Sequence, residues 1–110
     1  AVISIWVIYH NTFEGMKKTI LEVHRVLKEN GLAFLTFQSK RNHKFGKGRE
    51  IERDTFILEE GPERGTPHHF SDKNEVQKLL KNFRMLSMKL DEFLSREGKL
   101  HSHWEALAEK

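Results

Sequence analysis

Two short stretches carry side chains able to bind a ligand or move a proton: Tyr9-His10-Asn11 and His68-His69-Phe70. Tyr9, His10 and Asn11 follow a run of strand-forming residues, at the end of a strand where ligands of open α/β sheets bind. His10 is the candidate general base, because an unperturbed imidazole titrates near neutrality. An equally good reading has His10 simply capping or orienting the helix that follows. His101 and His103 alternate onto one face if their segment is a strand. With His68 and His69 they are the raw material of a metal site, but no carboxylate completes a recognisable ligand spacing, and no metal is expected. The absence of cysteine excludes both a disulfide framework and a thiolate-ligated zinc. Lys40, Arg41, Lys44, Lys47 and Arg49 form a basic stretch that could draw an anionic substrate or a nucleic-acid backbone. Phe45 is a thin stacking platform, and Glu50, Glu52 and Asp54 offset the charge locally. A solvated loop is the simpler reading, and a nucleic-acid partner is not expected.

The elements that must position these residues are legible in the side-chain pattern. Ala1 to Tyr9 is rich in β-branched and aromatic residues on both faces, the mark of a strand inside a covered, mostly parallel sheet. Such a strand needs neighbours on both edges, and no initiator Met precedes it, so truncation from a larger domain is expected. Asn11 or Thr12 supplies an N-cap. Met16, Ile20, Val23 and Leu27 then recur at intervals of four, three and four, as on the buried stripe of an amphipathic helix. Asn30-Gly31 is expected to end that helix, since both tolerate the left-handed conformation of a C-cap. Leu32 to Phe37 is a second strand, apolar on both faces. Residues 1–39 thus form a strand–helix–strand unit long enough for a parallel crossover.

Residues 40–70 are expected to be a long loop or lid, with a short strand somewhere between Ile51 and Leu58. Residues 71–110 are expected to hold a helix and an antiparallel hairpin. Ser71 is the expected N-cap, and Val76, Leu79, Leu80 and Phe83 mark the buried side. Leu86, Met88 and Leu90 then alternate with polar residues, Arg96 to Lys99 turns the chain, and His101 to Glu109 runs back. Trp6, Phe34, Phe37 and Trp104 are most simply core.

Bulk composition agrees with one small globular domain. The 110 residues are 37% hydrophobic and 32% charged, with a formal net charge of +3. No apolar run approaches the ~20 residues that a bilayer-spanning helix needs. No membrane association is expected, and a cytoplasmic location is.

The text of the chain resembles the second half of the class I S-adenosylmethionine (SAM) dependent methyltransferases. Glu22-Val-His-Arg-Val-Leu-Lys-Glu-Asn-Gly31, followed by Leu-Ala-Phe-Leu-Thr, is similar to the family's helix end and fifth strand. Ile8-Tyr9-His10-Asn11 resembles the end of its fourth strand. Pro67-His68-His69-Phe70-Ser71, with Glu75, Leu79 and Leu80, is similar to the segment opening its last helix, and Trp104 to Lys110 resembles its seventh strand. The resemblance implies an α/β fold: a partial Rossmann-like methyltransferase sheet with a parallel strand–helix–strand unit, a helix and a C-terminal antiparallel strand pair. It implies SAM as cofactor of an intact parent protein, with Tyr9, His10 and Asn11 touching the cofactor. His68, His69 and Phe70 would face the methyl acceptor, a small molecule.

The family's glycine-rich turn and the acidic residue that holds the ribose have no counterpart in these 110 residues. The isolated chain is therefore expected to be inactive and to self-associate through the exposed edge of strand 1–9. The alternative is a non-catalytic α/β interaction or nucleic-acid-binding module that uses the basic loop 40–49.

Overall fold

In the computed structural model the described residues are 11–110 and, for their backbone, 2–5. Trp6, Tyr9 and His10 lie outside them. Strand β1 (Val2–Ile5) runs parallel to β2 (Leu32–Ser39), with Val2 opposite Leu32 and Ile5 opposite Leu35. Helix α1 (Phe13–Val26) connects them, completing the expected strand–helix–strand unit.

Thr12 is the N-cap of α1: its side chain accepts from the Gly15 N–H. The helix stops earlier than the Asn30-Gly31 pair suggests. Leu27 is already extended at the C-cap, and its N–H still reaches the Val23 carbonyl. Asn30 does adopt the left-handed conformation, φ 66°, but in the turn leading to β2. There its N–H donates to the Lys110 carbonyl, so this turn is tied to the chain's far end.

The other edge of β2 is taken by β7 (Leu100–Glu109), antiparallel from Leu32–Glu109 to Gln38–His103. Strand β6 (Arg84–Leu94) then pairs antiparallel with β7 and forms the outer edge of the sheet. This is the expected C-terminal hairpin, turning through Ser95 to Lys99.

The segment expected to be a long loop or lid over 40–70, with a short strand inside it, holds three short strands. Strand β3 (Arg49–Glu52) and strand β4 (Thr55–Ile57) make a hairpin, and β4 pairs antiparallel with β5 (Pro67–Ser71). Strand β5 joins β2 in parallel at Gln38 and Ser39, beyond the stretch that β1 covers. The physical reason is the pairing capacity of β2: the backbone groups of its last two residues, Gln38 and Ser39, are taken up by β5. A T-shaped trio of Phe45, Phe56 and Phe70, centroids 5.4–6.0 Å apart, cements the meander.

Helix α2 (Lys73–Leu79) follows β5. Its N-cap is Asp72, whose carboxylate accepts from the Glu75 N–H, not Ser71 as expected. Ser71 is the last residue of β5, because the ladder to Ser39 holds it extended. Both helices lie against one face of the sheet. Met16, Ile20, Val23 and Leu27 of α1 meet Ala33, Leu35 and Phe37 of β2, Ala106 and Ala108 of β7, and Val76, Leu80 and Phe83. The three alanines leave room for the larger helix side chains to reach the sheet. Each fully buried Leu, Met or Phe contributes roughly 1.5–3 kcal/mol. Phe34 and Trp104 are half-buried rather than central, and the Trp104 indole N–H donates to the Ser71 carbonyl at 3.0 Å.

Candidate functional site

The carboxyl end of the parallel pair β1–β2 is where an open α/β sheet places its ligands. Of the three cofactor candidates, Tyr9 and His10 are outside the described residues. Asn11 stands at the N-terminus of α1, where its side-chain oxygen accepts from the Thr12 N–H at 2.8 Å. A methyl group at Gly15 would overlap the Asn11 side chain, so this glycine makes room for it. Asn11 is thereby locked against the helix's first turn.

The meander closes over that same helix end. The Glu52 carboxylate accepts from the Phe13 N–H at 2.9 Å, which places a negative charge where the helix dipole is positive. The Phe13 ring sits 5.2 Å from the His69 ring. His69 Nδ1 is 2.6 Å from the Thr55 hydroxyl, and its Nε2 is 2.6 Å from a Glu75 carboxylate oxygen. The Ser71 hydroxyl donates to that Glu75 oxygen at 2.8 Å. Burial of Glu75 opposes its ionisation, but the hydrogen bonds from His69 and Ser71 outweigh this and hold its carboxyl below the ordinary value.

Carboxylate, imidazole and hydroxyl in this sequence have the spacing of a nucleophile relay. Thr55 is fully buried, however, so no substrate reaches its oxygen. The relay positions β4, β5 and α2 against one another and is not a catalytic centre.

The three acceptor-facing candidates separate by strand alternation. His69 lines an open groove of about 960 Å³ between α1, α2 and the β3–β4 turn, floored by Ile20, Leu79 and Phe83. His68 and Phe70 point to the opposite face and do not line it. His68 is buried, with Nδ1 2.9 Å from the Thr66 carbonyl and Nε2 2.8 Å from Glu63. The Lys44 ammonium lies 2.5 Å from the other Glu63 oxygen. The Lys44 ammonium first, and His68 beside it, hold the Glu63 carboxyl down at about 2 against the opposing effect of burial. Phe70 belongs to the aromatic trio.

The remaining histidines are dispersed. The His101 ring stacks on Phe93 at 4.7 Å and meets His43 edge-on at 4.9 Å. His103, on the same strand face, is pushed down by burial and by nearby His101. Among the described residues no three metal-ligating side chains converge. The basic stretch is largely neutralised: Lys40 bridges Asp54 at 3.0 Å and Asp72 at 3.5 Å, and Arg41 bridges Glu92 at 2.6 Å. With Lys44 on Glu63, these cations already have carboxylate partners.

Two polar atoms near the carboxyl end of β2 went unnoticed in the sequence. Thr36 Oγ1 and Gln38 Oε1 are buried without a hydrogen-bond partner among the described residues. Nothing in their local sequence marks them, since the signal is a lack of partners that appears only after packing.

A parallel β1–α1–β2 unit, with the antiparallel β7 placed between β2 and β6, is an α/β arrangement shared with solved SAM-dependent methyltransferases. A SAM-dependent methyltransferase from Methanosarcina mazei superposes with a TM-score of 0.73 over 99% of the chain, at 20% identity. The Burkholderia thailandensis 1,6-didemethyltoxoflavin-N1-methyltransferase, solved with 1,6-didemethyltoxoflavin and S-adenosylhomocysteine, superposes with a TM-score of 0.58 over 97% at 14% identity. The chain spans 58% of the first neighbour's length and 43% of the second's. No family model and no curated sequence relative matches it. Among the described residues no helix is long and apolar enough to cross a membrane.

Proposed function

We propose that this chain is the carboxyl-terminal part of a SAM-dependent methyltransferase domain acting on a small-molecule acceptor. The observation that supports it most is the sheet order, with a reversed strand, β7, inserted between the last parallel strand and the edge strand β6. In this reading β1, β2, β6 and β7 are the fourth to seventh strands of that fold, and β3–β5 are an addition at the acceptor end.

SAM supplies an electrophilic methyl group on a sulfonium, which an aligned nucleophile can take directly. The chain's own residues would then bind and orient. Tyr9, His10 and Asn11 would wall the cofactor, with His10 the candidate base. The Gln38 oxygen, which has no hydrogen-bond partner among the described residues, fits an acceptor for an N–H or O–H of a bound ligand, since a buried oxygen left unpaired costs about 1–3 kcal/mol. His69, with both ring nitrogens engaged, would shape the acceptor side of the groove. The glycine turn that cradles the rest of the cofactor would have to come from residues other than these 110.

The test is calorimetric titration of S-adenosylhomocysteine into the protein as its gene encodes it, and into residues 1–110 alone. Binding by the encoded protein and none by the 110 residues is expected. No binding by the encoded protein at millimolar ligand refutes the proposal.

The second reading, a module that holds nucleic acid through residues 40–49, is weakened by the carboxylates that already occupy Lys40, Arg41 and Lys44.

A further inference from the structure

The outer edge of β6 is long and unpartnered, and its side chains are arranged to match a reversed copy of themselves. Strand β6 spans 11 residues and pairs, among the described residues, with β7 alone. It contains no proline, and its tip exposes Phe93 and Leu94, the latter 68% accessible. Edge strands of this length invite another strand unless the sequence blocks them.

We propose that two copies of this chain pair antiparallel through β6, edge to edge, about a two-fold axis at Leu90. A two-fold between identical antiparallel strands sets residue i of one copy opposite a residue whose number adds with i to a constant. With the axis at Leu90, Lys89 of each copy faces Asp91 of the other, twice, and Leu90 faces its own counterpart. Ser87 and Phe93 lie opposite each other at the ends. Moving the axis to residue 89 puts lysine against lysine, and moving it to 91 puts aspartate against aspartate. An axis at Met88 leaves both charges facing uncharged residues and runs the ladder into the bulge between Met85 and Ser87.

The charges at this edge are available for the task. Lys89 is largely exposed and meets Glu105 only at 3.7 Å, and Asp91 has no lysine or arginine bridge among the described residues. The neighbouring Arg84 and Glu92, by contrast, are already held by Glu109 and Arg41. The bulge at Leu86 ends the regular ladder on one side, so the pairing is confined to Ser87–Phe93. A contact that short belongs among small interfaces, and a reversible monomer–dimer equilibrium follows.

Sedimentation equilibrium of the protein between micromolar and millimolar concentration tests this with wild type, two single variants, the double variant and a mixture of the singles. Wild type should show a monomer–dimer equilibrium. K89D alone and D91K alone each create two like-charge contacts and should weaken dimerisation by roughly tenfold or more. The double variant K89D/D91K restores opposite charges and should dimerise like wild type. An equimolar mixture of the two single variants should form heterodimers, because each then faces its complement. A monomer throughout overturns the proposal, as does a dimer that the single changes leave intact. A dimer indifferent to these charges but lost on Ile3→Pro would place the contact on β1 and would equally overturn it.

Discussion

Replacing Glu63 by glutamine tests how the turn before β5 is held, and the size of the effect follows from the geometry. Glu63 bridges Lys44 at 2.5 Å and the buried His68 at 2.8 Å. Its carboxyl is lowered from 4.5 to about 2, first by the Lys44 hydrogen bond. At ~1.4 kcal/mol per tenfold, the ceiling on the stabilisation at neutral pH is roughly 3 kcal/mol. The Glu63 side chain is 32% exposed, so solvent screening cuts this to about 1–2 kcal/mol. Because the folded-state value is depressed, the contribution is fully present above the unfolded carboxylate range near 4.5. It is lost as the pH falls toward about 2. Urea unfolding of wild type and Glu63→Gln, followed by circular dichroism from pH 7 down to pH ~2.5, reads it directly. The gap between the two should be about 1–2 kcal/mol at pH 7 and should narrow steadily in acid. A gap that stays constant across this range, or no gap at pH 7, refutes the electrostatic account.

Two further changes probe the frame around the candidate site. Gly15→Ala should destabilise the protein despite alanine's better helix propensity, because the new methyl overlaps Asn11. The loss should be about 1 kcal/mol by thermal unfolding, and adding Asn11→Ala should recover it. Thr55→Val removes the hydroxyl facing His69 Nδ1 and leaves a buried ring nitrogen unpaired. A loss of about 1–3 kcal/mol is expected, and full retention of the melting temperature would show that the relay does not tie β4 to β5.

The meander of β3, β4 and β5 shapes the surroundings of the candidate site. Glu52, Thr55 and His69 reach the N-terminus of α1 from strands that extend β2's edge past β1. The groove beside them is lined by both helices and by the β3–β4 turn, so its shape depends on the meander as much as on the helices. The rim mixes Lys40 and Arg53 with Asp54 and Asp72, whose carboxyl is held low chiefly by the Glu75 N–H. A ligand bound there would meet a polar mouth above an apolar floor.

Periodicity alone determined α1, because burial of Met16, Ile20 and Val23 follows from their spacing whatever surrounds them. It also determined β2 and the hairpin β6–β7, where strand chemistry and turn residues agree. Residues 40–70 read as loop because the charges and glycines there hide strands of only three to five residues. Those strands are stable only through the free edge of β2 and the packing of Phe45, Phe56 and Phe70. The same holds for the site. His68 and His69 are adjacent in the chain and share one motif, yet strand alternation sends them to opposite faces, one to Glu63 and the other to Glu75. Hydrogen-bond partners and unpaired oxygens are properties of elements brought together from afar, and only the tertiary structure could decide them.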